Sequence, residues 1–184
     1  MLSLPSRLEE RLKKILPRAK DREEFVRDAV TRAIEEMERT GDDSLPESIG
    51  GTLHLYTDGG SRGNPGEAAI GCVVMDPLTG KILKEHHETI GIQTNNVAEY
   101  RALIAGLMIA KKFRPNRLVC HLDSELIVKQ LSGAYKVRMP TLQPLLEEIQ
   151  ELKNDFGEVS FSHIPREENQ KADRLVNQAL DGLR

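Results

Sequence analysis

Residues 52–66 read TLHLYTDGGSRGNPG and combine a predicted strand with a candidate catalytic acid. Thr52–Thr57 alternates apolar and polar or β-branched side chains, which predicts a half-buried strand. Asp58 follows directly, and the glycines and the Asn64-Pro65 pair after it have the composition of a turn. We therefore expect Asp58 to end the strand, at the carboxyl edge where open α/β sheets bind their ligands.

The sequence after Thr52 predicts an α/β domain with a five-stranded mixed sheet flanked by helices. Three strands joined by turns come first, and strand–helix units follow, which is the order expected for such a sheet. The polar alternation of the third strand indicates an edge or half-exposed position. The other predicted strands are Ala68–Met75, Lys81–Ile90, Arg117–Leu122 and Glu158–Ile164, and the predicted helices are Asn96–Phe113, Ser124–Leu131, Thr141–Phe156 and Glu168–Leu183.

The composition limits how the protein can bind phosphates and where it works. The 184 residues include 26 Lys+Arg and 29 Asp+Glu, and the net charge of −3 excludes a broad basic surface. Phosphates would then be bound by local groups, or by metal ions between carboxylates and phosphates. Cys72 and Cys120 lie in apolar strands, and no apolar run reaches the length of a membrane span. Both observations predict reduced thiols and a cytoplasmic protein.

Four acidic residues stand where a carboxylate is costly. Asp58 and Asp123 each end a predicted strand, and both side chains would emerge at the same carboxyl edge in a sheet where these strands are parallel neighbours. Glu99 is expected in the first turn of an apolar helix, and Asp173 is expected to border an inward stripe. Taken singly, each has an ordinary explanation as a turn, cap or helix-dipole residue. Taken together, four converging carboxylates would repel each other. A pair of divalent cations removes that repulsion, and oxygen ligands favour Mg²⁺ or Mn²⁺.

Four segments in this order resemble the motifs of type 1 ribonuclease H. They are residues 57–66, residues 94–99, Leu122-Asp123-Ser124 and the stretch from His163 to Asp173, and the resemblance covers residues 52–184. It implies the ribonuclease H fold and a metal-dependent endonuclease that hydrolyses the RNA strand of RNA–DNA hybrids, leaving 5′-phosphates.

The resemblance also assigns roles to individual residues. Asp58, Glu99, Asp123 and Asp173 would hold two Mg²⁺ ions, with Mn²⁺ as a substitute, in a two-metal-ion mechanism with Asp58 bridging the ions. His163 would shuttle a proton or assist release of the product phosphate; an ordinary surface histidine is the alternative. The hybrid would be contacted in its minor groove and at a DNA phosphate by Asn64, Asn95, Asn96 and Thr94.

Residues 133–139 depart from the pattern of some family members, because the long basic handle is missing. This resembles the handle-less subfamily of bacteria and archaea, some members of which also act on double-stranded RNA. Lys136 and Arg138 are the local candidates for contact with the DNA strand, and an ordinary exposed loop explains them equally well.

Two alternative functions remain: a non-catalytic nucleic-acid-binding or regulatory protein on this fold, or a nuclease acting on another duplex. The remaining histidines do not have the spacing of metal ligands relative to one another; they are His54, His86, His87 and His121.

Residues 1–40 are predicted to form a separate small helical domain, joined to the catalytic domain at 52–184 by a linker at 41–51. Residues 1–39 weakly resemble the ribbon-helix-helix family, although the strand that would read DNA has almost no polar side chains. The apolar stripe of the helix Glu23–Arg39 needs a partner. Homodimerisation through residues 1–40 and docking on the catalytic domain are both compatible with it.

Overall fold

A computed structural model describes residues 51–182, which form one five-stranded sheet with helices on both faces. The expectations for residues 1–50 lie outside the described residues. The elements are β1 (Thr52–Ser61), β2 (Gly66–Met75), β3 (Ile82–Gln93), α1 (Asn95–Lys111), β4 (Arg117–Leu122), α2 (Glu125–Leu131), α3 (Gln143–Leu152), β5 (Glu158–His163) and α4 (Gln170–Asp181). Short 3₁₀ turns occupy Lys153–Asp155 and Arg166–Glu168.

The strand order is β3-β2-β1-β4-β5, with β1 at the centre. The β1–β2 and β2–β3 pairs are antiparallel, and the β1–β4 and β4–β5 pairs are parallel. The predicted mixed sheet and the edge position of the third strand are therefore confirmed. Because β1 and β4 are parallel neighbours, the condition for Asp58 and Asp123 to emerge at the same edge is met.

Two helices approach β1 from opposite faces because small residues let them come close. A Cβ on Gly59 would lie 2.2 Å from the backbone of Ala98 in α1, whereas a Cβ on Gly60 would lie 3.1 Å from Val176 in α4. Successive residues of a strand face opposite sides of the sheet, so α1 and α4 cover different faces. None of the helices among residues 51–182 is long and apolar enough to cross a membrane.

The expectation that Asp58 ends the first strand is wrong. β1 continues to Ser61 because it stays paired with β2, up to Ser61 opposite Ala68. Its pairing with β4, in contrast, stops at Tyr56 opposite His121. Asp58 therefore lies just beyond the point where the two parallel strands separate. This separation opens a crevice at the carboxyl ends of β1 and β4.

The last two helices are shorter than the sequence pattern predicts. A 3₁₀ turn takes up residues 153–155, and α3 begins at Gln143 rather than at Thr141. A second 3₁₀ turn at 166–168 precedes α4, which begins at Gln170 rather than at Glu168. A hydrophobic pattern does not distinguish a tight 3₁₀ turn from the first turn of an α-helix, because both leave the same side chains inward.

Candidate active site

Three carboxylates meet in the crevice between β1 and β4. Asp58 comes from β1, Asp123 directly follows β4, and Glu99 comes from α1. One carboxylate oxygen of each lies within 4.8 Å of the other two. The convergence expected from the sequence is thus observed for three of the four acids.

Glu99 lies in the second turn of α1, not in the first as expected. The helix begins at Asn95, and Thr94 is its N-cap, with Oγ1 accepting a hydrogen bond from the Val97 N–H at 3.4 Å. The N-terminal helix dipole acts mainly on the first turn, so it gives a weak reason for an acid at this position. Close contact between α1 and Gly59 is what brings Glu99 against Asp58.

The electrostatics of this cluster are unfavourable without a cation. Burial, reinforced by the negative charges of Asp123 and Asp173, raises the pKa of Asp58 to about 6. Burial and the charges of Asp58 and Asp123 raise the pKa of Glu99 to about 9. Oε2 of Glu99 and Oδ1 of Asp123 are buried without a hydrogen-bond partner among residues 51–182. Acceptor oxygens that converge without donors fit a hard divalent cation such as Mg²⁺.

Asp173 is not part of the group of three converging acids, and its carboxylate is paired with Arg166. Its Oδ1 accepts a hydrogen bond from Nη2 of Arg166 at 2.5 Å, and its Oδ2 accepts one from Nδ2 of Asn177 at 3.0 Å. Its negative charge still acts on Asp58, and the positive charge of Arg166 lowers the pKa of both Asp58 and Glu99. Arg166 is therefore a counter-charge to the whole cluster.

Two of the predicted substrate-binding residues form a small network beside the crevice. The Asn95 N–H donates to Oδ1 of Asn64 at 3.1 Å, and Oδ1 of Asn95 accepts from the Ser61 N–H at 3.2 Å. This network fixes the turn after β1 against the start of α1. Asn64 and Asn95 are exposed, and Thr94 and Asn96 are partly exposed at the same helix terminus.

The remaining predicted site residues lie on other loops. His163 is exposed at the end of β5, next to Ile164, whose N–H donates to the Leu122 carbonyl at 2.9 Å. That bond ties the His163 segment to the residue before Asp123. Lys136 and Arg138 are exposed in the loop between α2 and α3, where Lys136 lines an open groove of about 590 Å³.

The stability of the metal-free protein is expected to fall as the pH rises from about 5 to 9. Because its pKa is raised, Glu99 in the folded protein keeps a proton that the unfolded chain has already lost in this pH range. Folding therefore takes up a proton, and raising the pH lowers the free energy of unfolding. Urea unfolding in EDTA at several pH values measures this slope. Glu99→Gln should flatten it, whereas the matched change at exposed Glu148 should leave it unchanged. A parent profile that rises with pH over this range would contradict the expectation.

Comparisons with known proteins agree with this geometry. The reverse transcriptase-like family model matches residues 56–179. Ribonuclease HI of Halobacterium salinarum is 46% identical over 132 residues, which are 72% of this chain and 66% of that protein. A bifunctional protein of Mycobacterium tuberculosis is 46% identical over 127 residues, 69% of this chain and 35% of that protein. The chain thus spans only part of the length of these relatives.

Solved structures give the same result. The crystal structure of the Halobacterium salinarum RNase H1 superposes with a TM-score of 0.69 at 45% identity, covering 72% of this chain and 99% of that one. The LC11-RNase H1 structure in complex with an RNA/DNA hybrid has a TM-score of 0.67 at 44% identity, covering 71% of this chain and 98% of that one. Fold, carboxylate cluster and relatives together define a protein of the ribonuclease H class. Within that class, the chain belongs to the type 1 ribonuclease H family.

Proposed function

We propose that this protein is a metal-dependent endonuclease that hydrolyses the RNA strand of RNA–DNA hybrids. The observation that carries the proposal is the group of Asp58, Glu99 and Asp123, buried or half-buried with two oxygens that lack hydrogen-bond partners among the described residues. A non-catalytic protein would have no reason to keep such an unfavourable cluster. The relative that binds an RNA/DNA hybrid supports the same substrate for this chain.

Asp58, Glu99 and Asp123 would hold two Mg²⁺ ions together with Asp173, and Mn²⁺ could substitute. Bound there, such ions would supply the chemistry that activates a water and stabilises charge on the leaving oxygen. The protein's own contribution is to fix the acids in a partly buried crevice, where charge interactions are stronger than in water.

The substrate contacts are proposed for the surface around this crevice. Asn64, Asn95 and Asn96 would contact the sugar–phosphate backbone in the minor groove, where uncharged donors and acceptors suit the 2′-hydroxyl. Thr94 would contact a DNA phosphate at the start of α1. Lys136 and Arg138 would add charge from the exposed loop before α3, and their contribution should depend on salt.

An end-labelled duplex with one internal block of ribonucleotides tests the function. Because the 2′-hydroxyl is the group that distinguishes RNA from DNA, cleavage should occur only within the block and only with Mg²⁺ or Mn²⁺. A double-stranded RNA of the same sequence tests the alternative substrate, which the short loop at 133–139 leaves open. Equal cleavage of an all-DNA duplex would point to a different nuclease, and binding without cleavage would point to a regulator.

His163→Ala is expected to slow cleavage by about 10²-fold while leaving hybrid affinity close to the parent value. A side chain that moves a proton near neutral pH contributes about this factor, and His163 is exposed beside the crevice. Single-turnover rates measure the loss. His86→Ala, on the edge strand β3, is the matched control and should behave like the parent. Equal rates for both variants would make His163 an ordinary surface residue.

Residues 1–40 are proposed to form a homodimerisation module, since the apolar stripe predicted for residues 23–39 needs a partner. A dimer would carry two catalytic domains and raise the effective concentration on a long hybrid. Deleting residues 1–50 should convert a dimer to a monomer in sedimentation while cleavage of a short hybrid is retained. A full-length protein that sediments as a monomer at micromolar concentration would favour docking within one chain instead.

A cytoplasmic location is proposed from the two thiols. Cys72 and Cys120 are free and buried on different strands, and burial raises the pKa of Cys72 to about 12. Buried, protonated thiols of this kind suit a reducing compartment.

A further inference from the structure

The side chain of Asn169 makes an unusual contact with the central strand β1. Asn169 is the N-cap residue of α4 and is fully buried, but its side chain does not cap the helix. Instead, Nδ2 donates a hydrogen bond at 2.9 Å to the carbonyl of Thr57, 112 residues away in the sequence. Asparagine is among the preferred N-cap residues, so this side chain forgoes its usual local partner for a distant one.

The Thr57 carbonyl lies just beyond the last pair of the β1–β4 ladder. The ladder ends with Tyr56 opposite His121, and Thr57 is the next residue of β1. A buried carbonyl that has lost its strand partner must be satisfied elsewhere. The Asn169 amide therefore supplies the hydrogen bond to the Thr57 carbonyl at the point where the two strands separate.

The residues on either side of this hydrogen bond carry proposed metal ligands. Thr57 directly precedes Asp58, and the Asn169 carbonyl accepts the Asp173 N–H at 3.1 Å in the first turn of α4. One side chain thus joins the strand that carries Asp58 to the helix turn that carries Asp173. The negative charge of Asp173 already raises the pKa of Asp58, which places the two carboxylates within electrostatic reach.

A purely structural hydrogen bond would leave a second observation unexplained. Oδ1 of Asn169 is buried and has no donor among residues 51–182. An unsatisfied buried acceptor is costly, and native structures contain few of them away from functional sites. Among the described residues, the Nδ2 group of the Asn169 amide therefore has a hydrogen-bond partner and its Oδ1 atom has none.

From this geometry we infer that Asn169 is a positioning residue, which sets the separation between Asp58 and Asp173 and thereby the affinity of the crevice for divalent cations. The inference rests on the proposed metal-dependent function. Residues that orient metal ligands typically change affinity 10–100-fold when they are lost.

Asn169→Ser is the sharpest test, because serine is also a preferred N-cap residue but is too short to hold Thr57 in the same way. The control is Tyr100→Phe, which removes another buried side-chain hydrogen bond, from the Tyr100 hydroxyl to Oε1 of Gln130 at 2.9 Å. Both variants should lose stability in urea. Only Asn169→Ser should also bind Mn²⁺ about tenfold or more weakly, measured on the full chain from the EPR signal of the free ion, without nucleic acid.

Three results would overturn the inference or what it rests on. Parent-like Mn²⁺ affinity in Asn169→Ser would reject the positioning role, and so would an equal loss of affinity in Tyr100→Phe. A parent protein that binds no Mn²⁺ would reject the metal site itself, which separates the failure of the proposed function from the failure of this inference. If Asn169→Ser does not fold, Asn169→Ala and Asn169→Gln are measured in the same way.

Discussion

Asp58→Asn is expected to lower the rate of hybrid cleavage by about 10³-fold or more. The substitution keeps the shape of the side chain but removes the charge of a proposed metal ligand in the carboxylate cluster. Losing several kcal/mol of charge stabilisation in the transition state has an effect of this size. Single-turnover cleavage of the internal-ribonucleotide duplex at saturating Mg²⁺ measures it.

The same variant should be no less stable than the parent in the absence of metal. Burial and two neighbouring acids raise the pKa of Asp58, so replacing its carboxylate with a neutral amide removes an unfavourable negative charge. Asp155→Asn is the control, since Asp155 is an exposed acid paired with Lys111 at 2.9 Å, and both its activity and its stability should be close to those of the parent. Cleavage by Asp58→Asn at the parent rate would falsify the assignment of the active site.

Strand and helix identities could be predicted from the sequence because they follow from local periodicity. Thr52–Thr57 alternates with a period of two, and the helix expected at 96–113 is apolar around most of its surface, as a helix buried in the core should be. The order of the elements then restricts the topology to a few mixed sheets. The proximity of Asp58 and Asp123 was expected for those sheets in which β1 and β4 are parallel neighbours, which is the arrangement observed.

Interactions between distant segments could not be predicted in this way. The side chains of His54 and His121 show no meaningful spacing in the sequence, yet Nδ1 of His54 lies 3.1 Å from Nε2 of His121 because β1 and β4 pair in parallel. Strand pairing also extends β1 to Ser61, beyond the turn-like composition after Asp58. The sequence of one strand does not reveal which strand it pairs with or in which register.

The roles of Arg166 and Asn169 were missed for the same reason. Both lie inside the stretch from His163 to Asp173, so the sequence does indicate their region. Their partners, however, are Asp173 across a 3₁₀ turn and Thr57 on the central strand. For Arg166, the available signal was an arginine close to an acid on the same segment. For Asn169, the signal was the asparagine within the His163-to-Asp173 motif, but nothing in the sequence indicates a partner 112 residues away.

Gly59→Ala is expected to destabilise the protein strongly and to remove most of its activity. A Cβ on Gly59 would lie 2.2 Å from the carbonyl carbon of Ala98 and 2.3 Å from the backbone nitrogen of Glu99. These are backbone atoms of α1, so no side-chain rotation can relieve the clash, and the helix has to move away from β1. Overpacking of this kind costs about 3 kcal/mol, near the upper end of the usual range.

The displacement of α1 would act on the carboxylates directly, because Gly59 follows Asp58 and its Cβ would press on the backbone of Glu99. A shift of about 1 Å between catalytic groups lowers rates by about 10²-fold, so activity should fall even in the fraction that remains folded. Urea unfolding and single-turnover cleavage measure the two effects separately. Gly182→Ala is the matched control, since its Cβ would meet nothing closer than 3.5 Å. Parent-like stability and rate in Gly59→Ala would mean that α1 does not hold Glu99 against Asp58 in the way described.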